Sequence, residues 1–357
     1  MKKILTILLT AILSIGAFNA KASSGEGEES GKIDTKAIIF EHLGDRYGWE
    51  VPFCHHLSIP LPIIVRDYEG SWHVFSSARV QHGEEYDGFR IAAEGDNHGK
   101  IVGMQPGPDG GMVEYRPLDI SITKNVAALI ICAIVVMLCV FSVKRWYKKH
   151  GMKAPRKWTA FIELIVEFVY MGVIRPTLGV KAPKFAPYLL TVFFFILTMN
   201  LLGLIVIFPG GANLTGNIAV TMVLALFTFF ITNLFGSKHY WKDIFWPEVP
   251  LWLKFPIPIM PMIEVFGIFT KPAALMVRLF ANMMGGHMIV IVLTLLIFIF
   301  AALGGVAVGA GTSVVSVAFS LFMLLLDTLV SFIQAFVFTM LSTLFISLAQ
   351  APAEHHE

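Results

Sequence analysis

The sequence contains little charge for its length. Only 15% of its 357 residues are Asp, Glu, Lys or Arg, whereas a soluble domain usually carries about 25%. Hydrophobic residues make up 56% of the chain, and 30 phenylalanines stand against eight tyrosines. This composition excludes an ordinary soluble enzyme and a disordered chain, and it is typical of a polytopic membrane protein.

Cysteine and ligand-binding motifs are also scarce. Cys132 and Cys139 lie in one hydrophobic run, where cysteine packs as a small apolar residue, and Cys54 stands apart from both, which excludes a disulfide framework. The histidines before residue 100 match no metal-ligand spacing. The chain has no G-x-x-x-x-G-K-[ST] motif, so it has no nucleotide site of that kind. We expect no metal, no cofactor and no nucleic-acid partner.

The N-terminal residues have the pattern of a signal peptide. In residues 1–22, two lysines precede an apolar stretch and Ala20-Lys21-Ala22 forms an A-x-A cleavage pattern. The alternative is an uncleaved first membrane helix, for which the apolar run is short. We therefore expect residues 1–22 to be removed and the next segment to lie outside the cytoplasm.

Residues 23–118 are acidic, with eight basic and sixteen acidic residues, and they are rich in Gly and Pro. Short runs of β-prone residues occur at Ile59–Val65, Trp72–Phe75 and Gly111–Tyr115. The pattern predicts a small exported region that contains β structure.

Residues 119–357 form the predicted membrane domain. Ordinary spanning helices are expected at about 126–143, 186–208 and 217–236. The stretch 144–184 contains ten basic and two acidic residues, so the positive-inside rule places it in the cytoplasm. Within it, Trp158–Ile174 has helical periodicity typical of a helix on the membrane surface. Five prolines in 244–261 exclude a regular helix there.

The last two apolar segments are too long for simple spans. Met262–Leu303 and Thr312–Gln350 flank a glycine-rich stretch, and each would be about 60 Å long as a helix, against a hydrocarbon core of about 30 Å. Each segment either crosses twice or is one long, strongly tilted helix, and no polar loop favours two crossings. We predict an all-α polytopic membrane protein with five crossings, whose last two helices form a long tilted hairpin. Its N-terminus is expected outside and its C-terminus in the cytoplasm.

Polar side chains are concentrated in this hairpin, where a charge costs several kcal/mol unless it meets a partner or water. The side chains concerned are Glu264, Lys271, Arg278, Asn282, His287, Asp327 and Gln334.

The spacing of these residues places several on common helix faces. Glu264, Lys271 and Arg278 are seven residues apart and share one face, as do Asp327 and Gln334 on the second helix. Antiparallel pairing about the glycine-rich turn puts Gln334 at the level of Arg278. The same pairing puts Asp327 at the level of His287, which predicts a contact between the acid and the imidazole.

Structural explanations remain open for each of these side chains. Arg278 could pair with Asp327 in a bundle core, and Lys271 could extend its amine towards the cytoplasm. Glu264 could be solvated at the interface, and His287 and Asp327 could share a structural hydrogen bond.

Two motifs resemble a known family. The stretch from Lys271 to His287, KPAALMVRLFANMMGGH, and the stretch from Gln334 to Phe338, QAFVF, strongly resemble the signature of subunit a of F-type ATP synthases. The resemblance covers roughly residues 120–350. It implies two long, nearly horizontal helices packed against a rotating ring of c subunits, with Arg278 as the essential arginine that faces the ring.

The resemblance also implies roles and partners. Asn282, His287, Asp327 and Gln334 match positions associated with the outer proton half-channel, and Glu264 and Lys271 match polar positions on the cytoplasmic side. The implied protein is a non-catalytic stator subunit of the Fo proton channel in a bacterial inner membrane. Its implied partners are the c-subunit ring, the b subunit of the peripheral stalk, the remaining F1Fo subunits and membrane lipid.

Two features depart from the family pattern. Many bacterial members have a glutamate at the position of His287 and a histidine at that of Asp327, so the acid and the imidazole are exchanged here. The signal peptide and residues 23–118 also lie outside the usual pattern, and the resemblance does not say what they do.

Two rival functions remain. A proton-coupled secondary transporter would have an internal repeat and broken helices at the membrane midplane, and the sequence contains no convincing repeat. An anchored exported binding module would leave the polar side chains of the hairpin unexplained.

Overall fold

The computed structural model describes residues 44–50, 58–92, 97–106, 112–151, 153–156, 158–205, 211–245 and 259–350. The predicted signal peptide, Cys54, most of the proline-rich stretch and the last seven residues lie outside these ranges.

The first part of the described chain, residues 44–119, is built from short antiparallel strands and is called the β region below. Its strands form a two-stranded sheet β1-β2 and two three-stranded sheets, β4-β3-β8 and β5-β6-β7. Their bounds are Gly48–Glu50 (β1), Ser58–Pro60 (β2), Pro62–Arg66 (β3), Trp72–Ser76 (β4), Phe89–Ile91 (β5), Ile101–Pro106 (β6), Met112–Tyr115 (β7) and Leu118–Asp119 (β8).

The β region has its own apolar core, which follows from the two-residue period of its strands. Ile63 and Val65 on β3 are fully buried, while Pro62 and Arg66 beside them are exposed, because successive side chains on a strand point to opposite faces. Phe75, Phe89 and Ile101 complete this core with Tyr47 and Val80.

Most of the remaining described residues are helical. The helices are α1 (Lys124–His150), α2 (Trp158–Val169), α3 (Arg175–Leu178), α4 (Ala182–Leu204), α5 (Ile218–Leu234), α6 (Lys238–Phe245) and α7 (Ile259–Ala349); a π-helical stretch, Tyr170–Ile174, joins α2 to α3.

The ends of α1 have clear local causes. Thr123 precedes the helix, and its hydroxyl accepts a hydrogen bond from the backbone N–H of Val126, as an N-cap residue does. The helix stops at Gly151, which has a φ of 62°, a conformation that glycine adopts without strain. The last turn carries Lys148 and Lys149, whose charges are favourable at a helix C-terminus.

Helix α7 is interrupted once, at Gly305, where φ is 76° and ψ is 179°. The break lies in the glycine-rich stretch that the sequence analysis identified as a turn. It divides the element into a first arm, Met260–Gly305, and a second arm, Val308–Ala349. The backbone stays helical at Gly267, Pro272 and Gly285, so none of these residues interrupts the first arm.

Four of the described helices are long and apolar enough to cross a membrane, or up to five if α5 and α6, bent by 101° to one another, form one span. They are Lys124–His150, Trp158–Leu204 and the two arms. The described chain is therefore mostly helical and has the character of a polytopic membrane protein.

Helices α4 and α5 both pack against α7, and α1 packs against α4. Phe193 of α4 and Phe338 of the second arm are fully or almost fully buried in the shared apolar core. At one end of this bundle, Ser347 donates to the carbonyl of Thr177 and Lys181 donates to that of Gln350. We call this end of the bundle the Gln350 end. The end at which α1 begins is called the β-region end.

Candidate functional site

Arg278 lies on the outward face of the first arm. The residue is exposed, whereas Leu275 and Leu279 on either side of it are 2% and 0% exposed and face the core. Val277 next to it is also exposed. Within the described residues the guanidinium forms no ion pair, so the structural Arg278–Asp327 pair that the sequence left open is not formed. A permanent cation is therefore exposed on a long apolar helix without an ion-pair partner among the described residues.

An amide pair joins the two arms beside Arg278. The Asn282 Nδ2 donates to the Gln334 Oε1 at 2.7 Å, and Gln334 is only 5% exposed. The sequence predicted Gln334 at the level of Arg278, and its actual partner lies one helical turn further along the first arm. This bond connects residues 52 positions apart and fixes the local register of the arms.

Asp327 of the second arm packs against Gly286 of the first arm. A Cβ atom placed on Gly286 would lie 2.5 Å from the Asp327 Oδ1 and 2.6 Å from its Oδ2, closer than such atoms normally approach. A Cβ on the neighbouring Gly285 would meet nothing within 4 Å. The carboxylate thus occupies space that only glycine at position 286 leaves open.

His287 turns away from Asp327, contrary to the predicted contact between the two. Its Nε2 lies 3.7 Å from the position that a Cβ on Gly203 of α4 would take, and this buried nitrogen has no hydrogen-bond partner within the described part of the chain. The physical reason is helical geometry: consecutive residues diverge by about 100°. With Gly286 facing Asp327, His287 faces α4, and no hydrogen bond joins the acid and the imidazole.

Three further polar residues near this point were missed by the sequence analysis. Asn200 of α4 is 1% exposed, accepts from the Thr215 hydroxyl at 2.8 Å and donates to the Ser331 carbonyl at 3.3 Å. The Ser331 hydroxyl is buried and has no hydrogen-bond partner in the described ranges. The one available signal was Asn200 itself, an amide within a predicted span, because a polar group there needs an internal partner.

Glu264 and Lys271 lie towards the Gln350 end of the first arm. Glu264 is half-buried and Lys271 is exposed. Lys271 borders a small cleft between α5, α6 and both arms. Its polar lining comprises Thr228, Thr232, Asn233, Tyr240 and Lys271.

Some of the polar groups in this cleft are only partly satisfied. The Tyr240 hydroxyl donates to the Asn233 Oδ1 at 3.2 Å, while the buried Thr232 hydroxyl has no partner among the described residues. Nowhere in the described ranges do three His, Cys, Asp or Glu side chains gather as metal ligands would.

Comparisons with known proteins bear on this arrangement. The family model described as ATP synthase A chain matches residues 126–347, which include every helical residue singled out above. A second model, described as a domain of unknown function, DUF8433, matches residues 38–120.

Several similar proteins are named ATP synthase subunit a. One from Pelodictyon phaeoclathratiforme (strain DSM 5477 / BU-1) is 44% identical over 287 residues, which cover 77% of this chain and 80% of the relative. One from Chloroherpeton thalassium (strain ATCC 35110 / GB-78) is 40% identical over 68% of this chain and 71% of the relative. One from Anaeromyxobacter sp. (strain Fw109-5) is 35% identical over 95% of this chain and 75% of the relative.

The resemblance seen in the two sequence motifs is thus confirmed over most of the membrane domain. The family model covers more than half of the chain, and the similarity includes the arms that carry Arg278, Asn282, Asp327 and Gln334. The chain belongs to the ATP synthase A chain family.

Proposed function

We propose that this protein is the stator subunit of a rotary proton channel, in which Arg278 separates two polar paths through the membrane. The observation that carries the proposal is an exposed arginine without an ion-pair partner among the described residues, in a long apolar helix. A permanent charge in this setting needs a partner from another chain. The names of the relatives, ATP synthase subunit a, support the same role.

The partner that fits this face is a ring of c subunits that present carboxylates one after another. An adjacent cation lowers the pKa of a carboxylate, so Arg278 favours the ionised form of each ring carboxylate as it passes. A fixed cation also repels a free proton, which prevents direct leakage between the two paths. The exposed apolar surface around Arg278 is the proposed contact with the ring.

The first path leads from the β-region end to Arg278. It comprises His287, Asp327, Gln334 and Asn282, and the additional polar residues Asn200 and Ser331. The unpartnered His287 Nε2 and Ser331 hydroxyl support this assignment, because buried polar atoms without a protein partner are commonly satisfied by water. A proton carried along this path neutralises a ring carboxylate, which can then rotate into lipid.

The second path leads from Arg278 to the Gln350 end. The cleft beside Lys271 supports it, since this cleft contains the unpartnered Thr232 hydroxyl and the Asn233 and Tyr240 side chains. Glu264 lies two helical turns further in the same direction. We assign proton release to this side.

The distribution of charge supports the orientation. Residues 144–184 contain ten basic and two acidic residues, and α1 carries the first of them away from the β-region end. The positive-inside rule then places the Gln350 end in the cytoplasm and the β-region end outside. Residues 1–22 act as the signal peptide, residues 23–118 as the exported region, and the arms as a tilted hairpin that completes five crossings of a bacterial inner membrane.

This role requires an assembly. The c-ring, the b subunit of the peripheral stalk and the remaining F1Fo subunits are the proposed partners, and ATP chemistry belongs to them. The energy available to the rotation is about 2.3 kcal/mol per charge for each 100 mV of membrane potential, together with any pH gradient.

The deciding experiment is ATP-driven acidification of inverted membrane vesicles with Arg278→Ala. Co-purification of the c-ring checks assembly, and Arg175→Ala serves as the matched control, because Arg175 is an exposed arginine of α3 near the Gln350 end. We expect pumping to fall to background in Arg278→Ala and to persist in Arg175→Ala. Pumping near the wild-type rate in an assembled Arg278→Ala complex would show that the arginine is structural and that the proposal is wrong.

A further inference from the structure

His73 lies between two carboxylates that belong to different parts of the β region. It is a residue of β4, and its ring Nδ1 is hydrogen-bonded to the Asp87 carboxylate. The ring Nε2 lies 3.9 Å from the Asp67 Oδ2. This nitrogen is buried from solvent and has no hydrogen-bond partner among the described residues. Each nitrogen of the imidazole therefore faces a different aspartate.

Tight turns of the backbone place both aspartates. Asp87 and Gly88 are the central residues of a turn in which Tyr86 and Phe89 exchange two backbone hydrogen bonds. The φ angles of Asp87 and Gly88 are 56° and 78°, and a type I′ turn needs positive φ at both positions, for which Asp-Gly is a preferred pair. Asp67 begins the turn between β3 and β4, where backbone hydrogen bonds hold both its N–H and its carbonyl. Local backbone geometry thus fixes where each carboxylate starts.

The contacts of His73 join the two three-stranded sheets. His73 and Asp67 belong to the hairpin of β3 and β4, whereas Asp87 lies two residues before β5 of the other sheet. Phe89 of β5 packs edge-on against the His73 ring, with ring centroids 5.2 Å apart. Asp67 also accepts from the hydroxyl of Tyr115 on β7 at 2.6 Å. His73 therefore contacts side chains that belong to both sheets.

The arrangement distinguishes the two charge states of the ring. A carboxylate only accepts hydrogen bonds, so a neutral ring that donates from Nδ1 to Asp87 keeps a lone pair on Nε2. That lone pair is shut away from water beside the Asp67 carboxylate, and an unsatisfied buried polar atom is costly. A protonated ring has a donor on both nitrogens, and its positive charge lies between two carboxylates. At 3.9 Å the contact with Asp67 is ionic, because it is too long for a hydrogen bond.

Ionisable groups on the neighbouring elements are bonded to other partners. The residue opposite His73 on β3 is Val65, which carries no charge. Burial raises the pKa of Tyr47 and raises that of Tyr115 to about 12, so neither hydroxyl changes charge near neutral pH. Histidine ordinarily changes charge between about pH 5 and pH 8. The neighbouring pairs are Tyr47 with Asp119, Tyr115 with Asp67, Arg79 with Tyr86, and Arg90 with Glu114.

We propose that His73 is a proton-dependent link between the two sheets of the β region, strong when the ring is protonated and weak when the ring is neutral. The contribution of this link to stability is present at the acidic end of the range from about pH 5 to pH 8 and is lost as the pH rises, because the folded state favours the protonated ring. This inference rests on the proposed function, which places the β region on the side from which protons enter. The two sheets are then held together most firmly when the outside is acidic.

The test compares His73→Gln with the wild type in the purified, complete complex. Glutamine keeps a hydrogen-bond donor but takes up no proton. Cleavage within the β region by a dilute protease, which follows the population of the open form, is timed from pH 5.5 to pH 8. The rate of the variant is divided by that of the wild type at each pH, so the pH dependence of the protease cancels. We expect a ratio of about three to five at pH 5.5 and less than about two at pH 8, as for a partly accessible ion pair.

His98→Gln is the matched control. His98 is an exposed histidine of the same region, in the turn that precedes β6. The cleavage ratio of this variant should stay near one at every pH. A ratio for His73→Gln that is constant or that rises with pH, or an equal pH dependence in His98→Gln, would overturn the proposal.

Asp87→Asn keeps the test decisive if His73→Gln fails to assemble. Asn-Gly suits a type I′ turn as well as Asp-Gly does, so the backbone is kept while the charge facing Nδ1 is removed. We expect a cleavage ratio of about two at pH 5.5 and near one at pH 8. An assembled Asp87→Asn complex that is cleaved like the wild type at every pH would overturn the proposal.

Cleavage of the β region requires no rotation of the ring. Its outcome is therefore independent of the pumping assay on Arg278→Ala, and either result can fail while the other stands.

Discussion

The β region and the two arms of α7 treat their charged groups in opposite ways. In the β region, Arg90 forms an ion pair with Glu114, and the His73 ring is hydrogen-bonded to Asp87. In the described part of the arms, Arg278 and Asp327 form no ion pair at all. The paired charges of the β region lie within its own fold, whereas Arg278 and Asp327 have no ion-pair partner among the described residues.

The free energies involved explain why this difference is informative. An exposed ion pair contributes about 0–1 kcal/mol, so losing such a pair changes the stability of the β region little. A charge within a membrane costs several kcal/mol unless it is satisfied. Charges that stay unpaired in the arms therefore point to function more strongly than paired charges in the β region do.

The largest effect that we expect comes from filling the space in which Asp327 lies. Gly286→Ala adds a Cβ atom 2.5–2.7 Å from the Asp327 side chain and must displace the carboxylate. We expect passive proton conduction, measured in vesicles stripped of F1, to fall at least about tenfold, since small misplacements of reacting groups are costly.

Gly285→Ala is the control for this prediction, because a Cβ at that position meets nothing within 4 Å. Both substitutions favour the helix equally, so a general effect on helix stability would appear in both. Similar conduction in the two variants would show that the position of Asp327 is unimportant.

A smaller effect is expected from the amide pair between the arms. Gln334→Ala removes the acceptor of the Asn282 amide. We expect proton conduction to fall about fivefold, because a neutral hydrogen bond contributes on the order of 1 kcal/mol. The double variant with Asn282→Ala should be no worse than Gln334→Ala, since both act through one bond.

Thr339→Ala provides the comparison within the same arm. The Thr339 hydroxyl is buried but donates to the Ala335 carbonyl of its own helix, so its loss leaves the contact between the arms intact. Additive effects of Asn282→Ala and Gln334→Ala would contradict the idea that the pair acts as a unit.

The smallest effect concerns the β region, where charge supports the fold. Burial and a hydrogen bond to Asp67 raise the pKa of Tyr115 to about 12. Its stabilising contribution is present below pH 10 and is lost as the pH rises towards 12, because the unfolded tyrosine ionises first. Tyr115→Phe should cost about 1 kcal/mol at pH 7, and its disadvantage should shrink above pH 10.

The stability difference between the wild type and Tyr115→Phe is measured by proteolysis. The resistance of the β region in the assembled complex is followed from pH 7 to pH 11. Tyr47 also has a raised pKa, caused mainly by burial, but it is present in both proteins and its contribution cancels. A disadvantage of Tyr115→Phe that is constant across this pH range would contradict the assigned hydrogen bond.

Much of the helical architecture was predictable, because composition and period are local properties. The apolar runs anticipated α1, α4 and α5 to within a few residues, apart from the C-terminal end of α1, and the glycine-rich stretch anticipated the break at Gly305. The runs Trp72–Phe75 and Gly111–Tyr115 coincide closely with β4 and β7. Such signals need no knowledge of distant contacts.

The site was predictable in its members but not in its contacts. Unpaired charges in apolar segments singled out Arg278 and Asp327, and antiparallel pairing brought Gln334 close to its true level. The predicted contact between His287 and Asp327 was wrong, because pairing fixes the level of a residue along a helix but not its rotation about the axis. Gly286 faces Asp327, and the next residue, His287, lies about 100° further around the helix axis. His287 therefore faces α4.

The sequence by itself determined the membrane character of the chain, its helical segments, the turn at Gly305 and the polar residues that distinguish the arms, because these depend on composition and spacing. The tertiary structure alone decided that Asp327 packs against Gly286, that Asn200 donates a hydrogen bond to the Ser331 carbonyl, and that Trp49 enters the core of the helices. These contacts depend on how elements far apart in the chain pack together, and no local pattern encodes that packing.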